Sequence, residues 1–143
     1  MSKKKFVGWE VEKLKGWALY WITVGLGVFI LLFLITSTWI GVSVRGQCQI
    51  AKARYKQDCV ESLMMVLDDE TNTLRERNTA IWALGQFGDS RALKVIDKYY
   101  TGQIPDREPY DATLSQYEMK KAIKLINGGF NITAVLWRSD AAH

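Results

Sequence analysis

This sequence carries little chemistry. Its 143 residues hold one histidine, two cysteines and two prolines. A single imidazole rules out sites that need two, and two thiols cannot complete a structural zinc set. That histidine is His143, at the end of the sequence, where side chains are seldom held in place; no catalytic or metal role is expected of it. There is no phosphate loop, dinucleotide fingerprint, nucleophile elbow or zinc-protease motif. The acidic run Asp68-Asp69-Glu70 lacks the fixed spacing of a calcium loop, so it reads as a solvated helix end. Both prolines fall in Thr101–Ala112, which leaves the rest of the chain free to be helical. No cofactor, metal or small-molecule substrate is expected.

Charge is also missing where it matters. Between Lys15 and Arg45 no residue is charged. The run Gly16–Val44 has 29 residues, and about 20 apolar residues at roughly 1.5 Å each suffice to cross a hydrocarbon layer. A helix satisfies its own amides there, as lipid demands. Trp17, Tyr20 and Trp21 lie at one end and Trp39 near the other, where amphipathic rings suit the two headgroup layers. The expectation is a single-pass span over residues 16–44, preceded by a short interfacial lead-in over 1–15. A cleaved signal peptide is the alternative, but its apolar region runs only about 7–15 residues before a small-residue cleavage site. A buried core helix of this length would be unusual in so small a domain.

The net charge of +4 does not point to nucleic acid. Five lysines precede the run (Lys3, Lys4, Lys5, Lys13, Lys15) against Glu10 and Glu12, whereas the chain from Arg45 onward is nearly neutral. The excess therefore flanks the bilayer, where anionic headgroups attract it, and there is no basic stripe for a phosphate backbone. Arg45, Lys52, Arg54 and Lys56 follow the run closely, so charge alone decides no orientation. Cys48 and Cys59 add to the picture. On one straight helix they would lie about 16 Å apart along the axis, whereas a disulfide needs Cα atoms within about 7 Å. A bridge requires the chain to turn back, and Gln57-Asp58 offers the turn; two unpaired apolar thiols are the alternative. With an oxidised pair, the N-terminus would be cytoplasmic and the following domain extracytoplasmic.

Beyond a polar connector over residues 45–58, the pattern becomes helical. Val60, Leu63, Met64 and Leu67 form one stripe. Thr73 and Glu76 have capping-box spacing, and Leu74, Ala80, Ile81, Leu84 and Phe87 form the next stripe. Gly88 supplies a left-handed helix end, and Asp89 or Ser90 caps a helix carrying Ala92, Leu93, Ile96, Tyr99 and Tyr100. So short a turn predicts an antiparallel pair packed face to face. Arg75 and Arg77 read as exposed helix charges, or as bridges to the adjacent helix. Trp82, Tyr99 and Tyr100 read as core or half-buried, with a partner-facing patch as the alternative. A helix is expected over Thr113–Asn127 with Leu114, Tyr117, Met119, Ala122, Ile123 and Ile126 inward, ended by Gly128-Gly129. The tail over 128–143 is expected to fold over that helix or to serve as a docking strand. Its Asn131-Ile132-Thr133 sequon is read as chance.

Within this pattern, Arg75, Arg77, Ala80, Ala83-Leu84-Gly85, Gly88-Asp89 and Ala92-Leu93 resemble a HEAT-like repeat, of the short bacterial kind also found in phycobilisome lyases. The resemblance is strongest over Leu74–Tyr100. With the span read from the uncharged run, it implies an all-α chain: one N-terminal transmembrane helix, then a small HEAT-like domain of antiparallel helical hairpins over residues 59–127. It further implies a scaffold that binds proteins through helix faces, beside the lipid bilayer, without catalysis. An accessory subunit of a larger membrane complex is the second reading, with Gly25, Gly27 and Gly41 available for helix packing. A chromophore-lyase-like enzyme is the third.

Overall fold

The computed structural model describes the backbone of residues 3–138 and the side chains of residues 15–138. His143 and the side chains of the lead-in lie outside these. All regular structure among the described residues is helical: α1 (Lys3–Tyr55), α2 (Cys59–Asp68), α3 (Leu74–Phe87), α4 (Leu93–Tyr99) and α5 (Gln116–Ile126). Short 3-10 turns occupy Ser90–Ala92 and Ile132–Leu136. The chain divides into two compact units at Thr36/Ser37.

The described residues of the first unit are helix alone. Every residue from Lys15 to Thr36 is exposed except the half-buried Phe33. Thr23 turns its hydroxyl back onto the carbonyls of Leu19 (3.0 Å) and Tyr20 (2.8 Å). That hydroxyl is thereby satisfied without water.

In the second unit, α1 continues from Ser37 to Tyr55. The segment read as a connector is thus helical to Tyr55, and the chain reverses over Lys56–Asp58. Lys56 adopts φ +57° there, the only non-glycine left-handed residue among those described. Ser37, Gly41, Val44, Cys48 and Ala51 are buried and Tyr55 half-buried. These positions alternate four and three apart, the 3.5-residue period of a packed helical seam. Val44, Cys48 and Ala51 join the core formed by Leu63, Leu67, Ile81, Leu84, Ile96 and Met119.

The caps form as their residues dictate. The Asp58 carboxylate accepts from the Glu61 amide (2.8 Å) and starts α2. Thr73 and Glu76 make the reciprocal capping box of α3: the Glu76 amide donates to the Thr73 hydroxyl (3.2 Å) and the Thr73 amide to the Glu76 carboxylate (2.9 Å). Gly88 closes α3 at φ +68°, and Asp89 caps the following turn. At the end of α5 the Gly129 amide reaches back to the Lys124 carbonyl (2.9 Å), with Gly128 at φ +89°. This is the six-to-one closure of a Schellman end.

Packing departs from the hairpin expectation in one respect. Helix α3 packs mainly on α2 and α5, not on α4. The physical reason is length. A 3-10 turn consumes the start of the expected second helix, leaving α4 seven residues with only Ile96 buried. The small residues of α3 therefore serve α5: a Cβ on Gly85 would meet the Ala122 Cα at 2.7 Å. Tyr117, expected inward, is exposed. It stands two residues, about 200° of helical turn, from the buried Met119.

Candidate functional site

The described residues contain no group of three or more His, Cys, Asp or Glu arranged to hold a metal ion. What the fold builds instead is an apolar rod in one unit and, in the other, a helical body with a hydrogen-bonded polar framework.

The rod is the one described helix long and apolar enough to cross a membrane. That stretch is Lys15–Tyr55, with a mean hydropathy of 2.5 in its most apolar window, none of which is buried. Trp17, Tyr20 and Trp21 are exposed, with Tyr20 and Trp21 edge to face at 5.6 Å. In the second unit, Trp39 is 74% exposed on the face of α1 away from the buried seam.

Cys48 and Cys59 are bonded, with Cα atoms 5.0 Å apart. The reversal at Lys56–Asp58 brings them together. The bridge ties the seam of α1 to the first residue of α2.

Beside it lies a polar joint. The Tyr55 hydroxyl donates to Asp69 (2.8 Å) and accepts from the Asn72 amide (2.9 Å), which also donates to the Val66 carbonyl (3.0 Å). Arg54 donates to Asn72 Oδ1 and reaches Glu76 at 3.4 Å. The end of α1, the α2–α3 turn and the start of α3 are thereby held as one piece. Bonds from the Thr71 hydroxyl and amide, with help from Tyr55, hold the Asp69 carboxyl below its ordinary range.

Arg77 is buried, against the expectation of an exposed charge. Its Nε donates to the Leu67 carbonyl at the end of α2 (2.8 Å), and its guanidinium lies 5.1 Å from the centre of the Tyr99 ring. A cation on the last carbonyls of α2 complements the helix dipole. Arg75 remains exposed. Arg91 gathers two caps at once, with Nη1 2.7 Å from Asp58 and Nη2 2.9 Å from Asp89. The Arg91 bond holds the Asp89 carboxyl low. Partial burial pushes the Asp58 carboxyl up, but the Glu61 amide and Arg91 outweigh it and the net shift is down.

Two polar residues that sequence reasoning passed over organise the long loop. Asn78 is fully buried. Its amide nitrogen donates to the carbonyls of Tyr110 (2.7 Å) and Thr113 (2.8 Å), and its oxygen accepts from the Ser115 amide (2.8 Å). Glu108 accepts from the Ser115 hydroxyl (2.6 Å) and the Gln116 amide (2.8 Å), placing a carboxylate at the α5 N-terminus. The only forewarning was a polar residue inside an apolar helical pattern.

Trp82, Tyr99 and Tyr100 are half-buried against the core. An open cleft lies between α2 and α4, lined by Gln57, Glu61, Met64, Met65, Asp68 and Val95. Asp68 at its edge accepts from Lys98 (2.6 Å) and Tyr99 (2.8 Å). Lys98 and Tyr99 hold its carboxyl below the ordinary range.

Over its described residues, 128–138, the tail forms a 3-10 turn at Ile132–Leu136 and no strand. It packs on the end of α3 and on α1. Asn131 donates to Gln86 (2.9 Å) and Arg138 to the Gln86 carbonyl (2.8 Å). Trp137 lies edge to face with Phe87 at 6.3 Å and so close to Gly41 that a Cβ there would sit 2.8 Å from its ring. The amide nitrogen a glycan would need on Asn131 is engaged by Gln86.

Comparison with protein-family models, with curated proteins and with solved structures finds no match.

Proposed function

We propose that this chain is a single-pass membrane protein whose tethered helical domain, built on a HEAT-like pattern, serves as a protein-interaction module without catalysis. One observation carries the reading. From Lys15 to Thr36, α1 exposes apolar side chains on every side, and from Ser37 the same helix buries one heptad stripe in a folded core. An all-round apolar helix is stable only in lipid or inside protein. Retention of the span is favoured over cleavage of a leader, because the last residues of the uncharged run, Ser37, Gly41 and Val44, are core residues. The Cys48–Cys59 bond supports an extracytoplasmic domain and a cytoplasmic N-terminus, since such bonds persist in oxidising compartments.

Tethering concentrates a binding surface near other membrane components, so weak contacts suffice. The α2–α4 cleft is the face offered, because its Met64 and Met65 side chains can adapt to a partner. An accessory-subunit role also draws on a specific observation: Gly25 and Gly27 face open space, with nothing within 4 Å of a Cβ on either. Close approach by another helix is possible there.

The test has three parts. The chain should resist extraction by alkaline carbonate and retain its N-terminal residues. Protease added from the extracytoplasmic side should digest the domain while leaving a fragment that contains the span. A photocrosslinking residue at Met65 should form a discrete adduct in native membranes that one at Lys120, on α5, does not. Release by carbonate, or identical crosslinking at both positions, rejects the proposal.

A further inference from the structure

The second unit carries an apolar surface that its own core does not use. Phe130 is 84% exposed and Val135 72%, and Ile132 and Leu136 are about half exposed. All four belong to Gly128–Trp137, which contains no charged residue before Arg138. In water such a segment should bury these side chains or vary in conformation. Here it is pinned with them facing outward. Ala134 and Trp137 are the buried residues of the segment, Asn131 and Arg138 are bonded to Gln86, and Trp137 is seated on Gly41.

Where the segment is pinned identifies what covers it. Leu136 and Trp137 share a cleft with Ser37, Thr38, Gly41, Val42 and Arg45 of α1. The first four belong to the uncharged run that continues to Val44, and Arg45 is the charge that ends it. Val42, which lines that cleft, is 64% exposed. Within the second unit the exposed apolar side chains of the tail thus adjoin the charge-free start of its part of α1, and both parts reach charge only at Arg45 and Arg138. Apolar side chains on a short segment beside Trp and Arg suit the boundary between headgroups and acyl chains, where interfacial segments bury roughly 5–10 Å deep.

We infer that Phe130–Trp137 is a second membrane contact, a monotopic foot whose Phe130, Ile132, Val135 and Leu136 enter the outer part of the bilayer beside the span. The occupant is lipid. This rests on the membrane-span reading, and the test separates the two.

The test uses the full chain, with its disulfide intact, in vesicles of phosphatidylcholine and phosphatidylglycerol. An environment-sensitive fluorophore is placed singly by Val135→Cys, Leu26→Cys or Lys94→Cys, all exposed positions. Spin-labelled lipids, with the label either near the headgroup or near the acyl-chain end, act as quenchers. At position 135 most of the emission should be lost to the shallow quencher and less to the deep one. Position 26 should respond chiefly to the deep quencher, and position 94 to neither. If position 26 is quenched while 135 behaves like 94, the span stands and the foot is wrong. A blue-shifted but unquenched signal at 135 means protein covers the segment and also overturns the inference. If position 26 is unquenched, the span itself fails, and the foot with it.

Discussion

Gly85 of α3 and Ala122 of α5 meet with their backbones nearly in contact: a Cβ on Gly85 would lie 2.7 Å from the Ala122 Cα and 2.9 Å from its Cβ. No rotamer change relieves such a contact, because both partners are backbone or methyl. Gly85→Ala should therefore separate α3 from α5, at about 1–3 kcal/mol for overpacking. The usual gain in helix propensity from Gly to Ala, about 1 kcal/mol, offsets only part of that. Thermal unfolding followed by circular dichroism in detergent measures the net effect; an unchanged or raised midpoint would show that the two helices can separate at little cost.

The Cys48–Cys59 bond closes a short loop about the reversal after α1. Shortening the unfolded ensemble this way contributes about 3 kcal/mol for a loop of this size. Reductant, or the paired change Cys48→Ser and Cys59→Ser, should lower the unfolding midpoint while leaving helix content nearly unchanged at low temperature. Equal midpoints with and without reductant would mean that the seam and the polar joint hold α1 on α2 without help.

Asn78 should be intolerant of change. Asn78→Ala leaves the Ser115 amide and two carbonyls without their partner, and one buried unsatisfied group costs about 1–3 kcal/mol. Asn78→Asp keeps the acceptor but turns a carboxylate toward two carbonyl oxygens. It should be at least as harmful at neutral pH, and partly recover in acid, where the protonated carboxyl regains a donor. Amide hydrogen exchange at Ser115 and Gln116 reports the loss locally; unchanged protection in Asn78→Ala would refute the clamp.

Acid should loosen the caps joined by Arg91. Asp58 and Asp89 both titrate below their ordinary range in the folded chain. A lowered folded-state pKa means the contribution is complete above the unfolded value, about 3.9, and is lost as pH falls through the folded value. Stability should be level from neutrality to about pH 5 with respect to this pair and decline below about pH 4. The groups are partly exposed, so the effect should be modest and should shrink with added salt. Arg91→Met should flatten that acid limb; a titration curve unaltered by the substitution would show that Arg91 does not set it.

Much of this architecture is legible residue by residue. Thr73 and Glu76 cap α3, Gly88 ends it in the left-handed region, and Asp89 starts the next turn, because capping depends on side chains within a few positions of one another. Of the stripe Val60, Leu63, Met64 and Leu67, three members are buried as the spacing predicts and Met64 is half-buried. The seam of α1 was hidden for a definite reason. In Gly16–Val44 nearly every residue is apolar, so a buried face leaves no contrast, and its members Ser37, Gly41, Cys48 and Ala51 are too small to mark a stripe. Arg77 and Asn78 were misjudged or missed because partners at carbonyls in other elements leave no local trace. The apolar stripe and the caps anticipated α3 and its turn, while the packing of α3 on α5 depends on a helix that begins only at Gln116.

The order of residues alone set three things: an uncharged run long enough for a bilayer, helices where the 3.6-residue period and the caps agree, and a pair of cysteines that only a chain reversal could join. Each follows from interactions along the chain or with solvent, which need no knowledge of distant neighbours. Folding decided where the apolar run stops being a rod and becomes core, which helix fills the notch at Gly85, and that Trp137 would rest on Gly41. Those outcomes depend on the shape left between elements far apart in sequence, and close packing is a property of that shape.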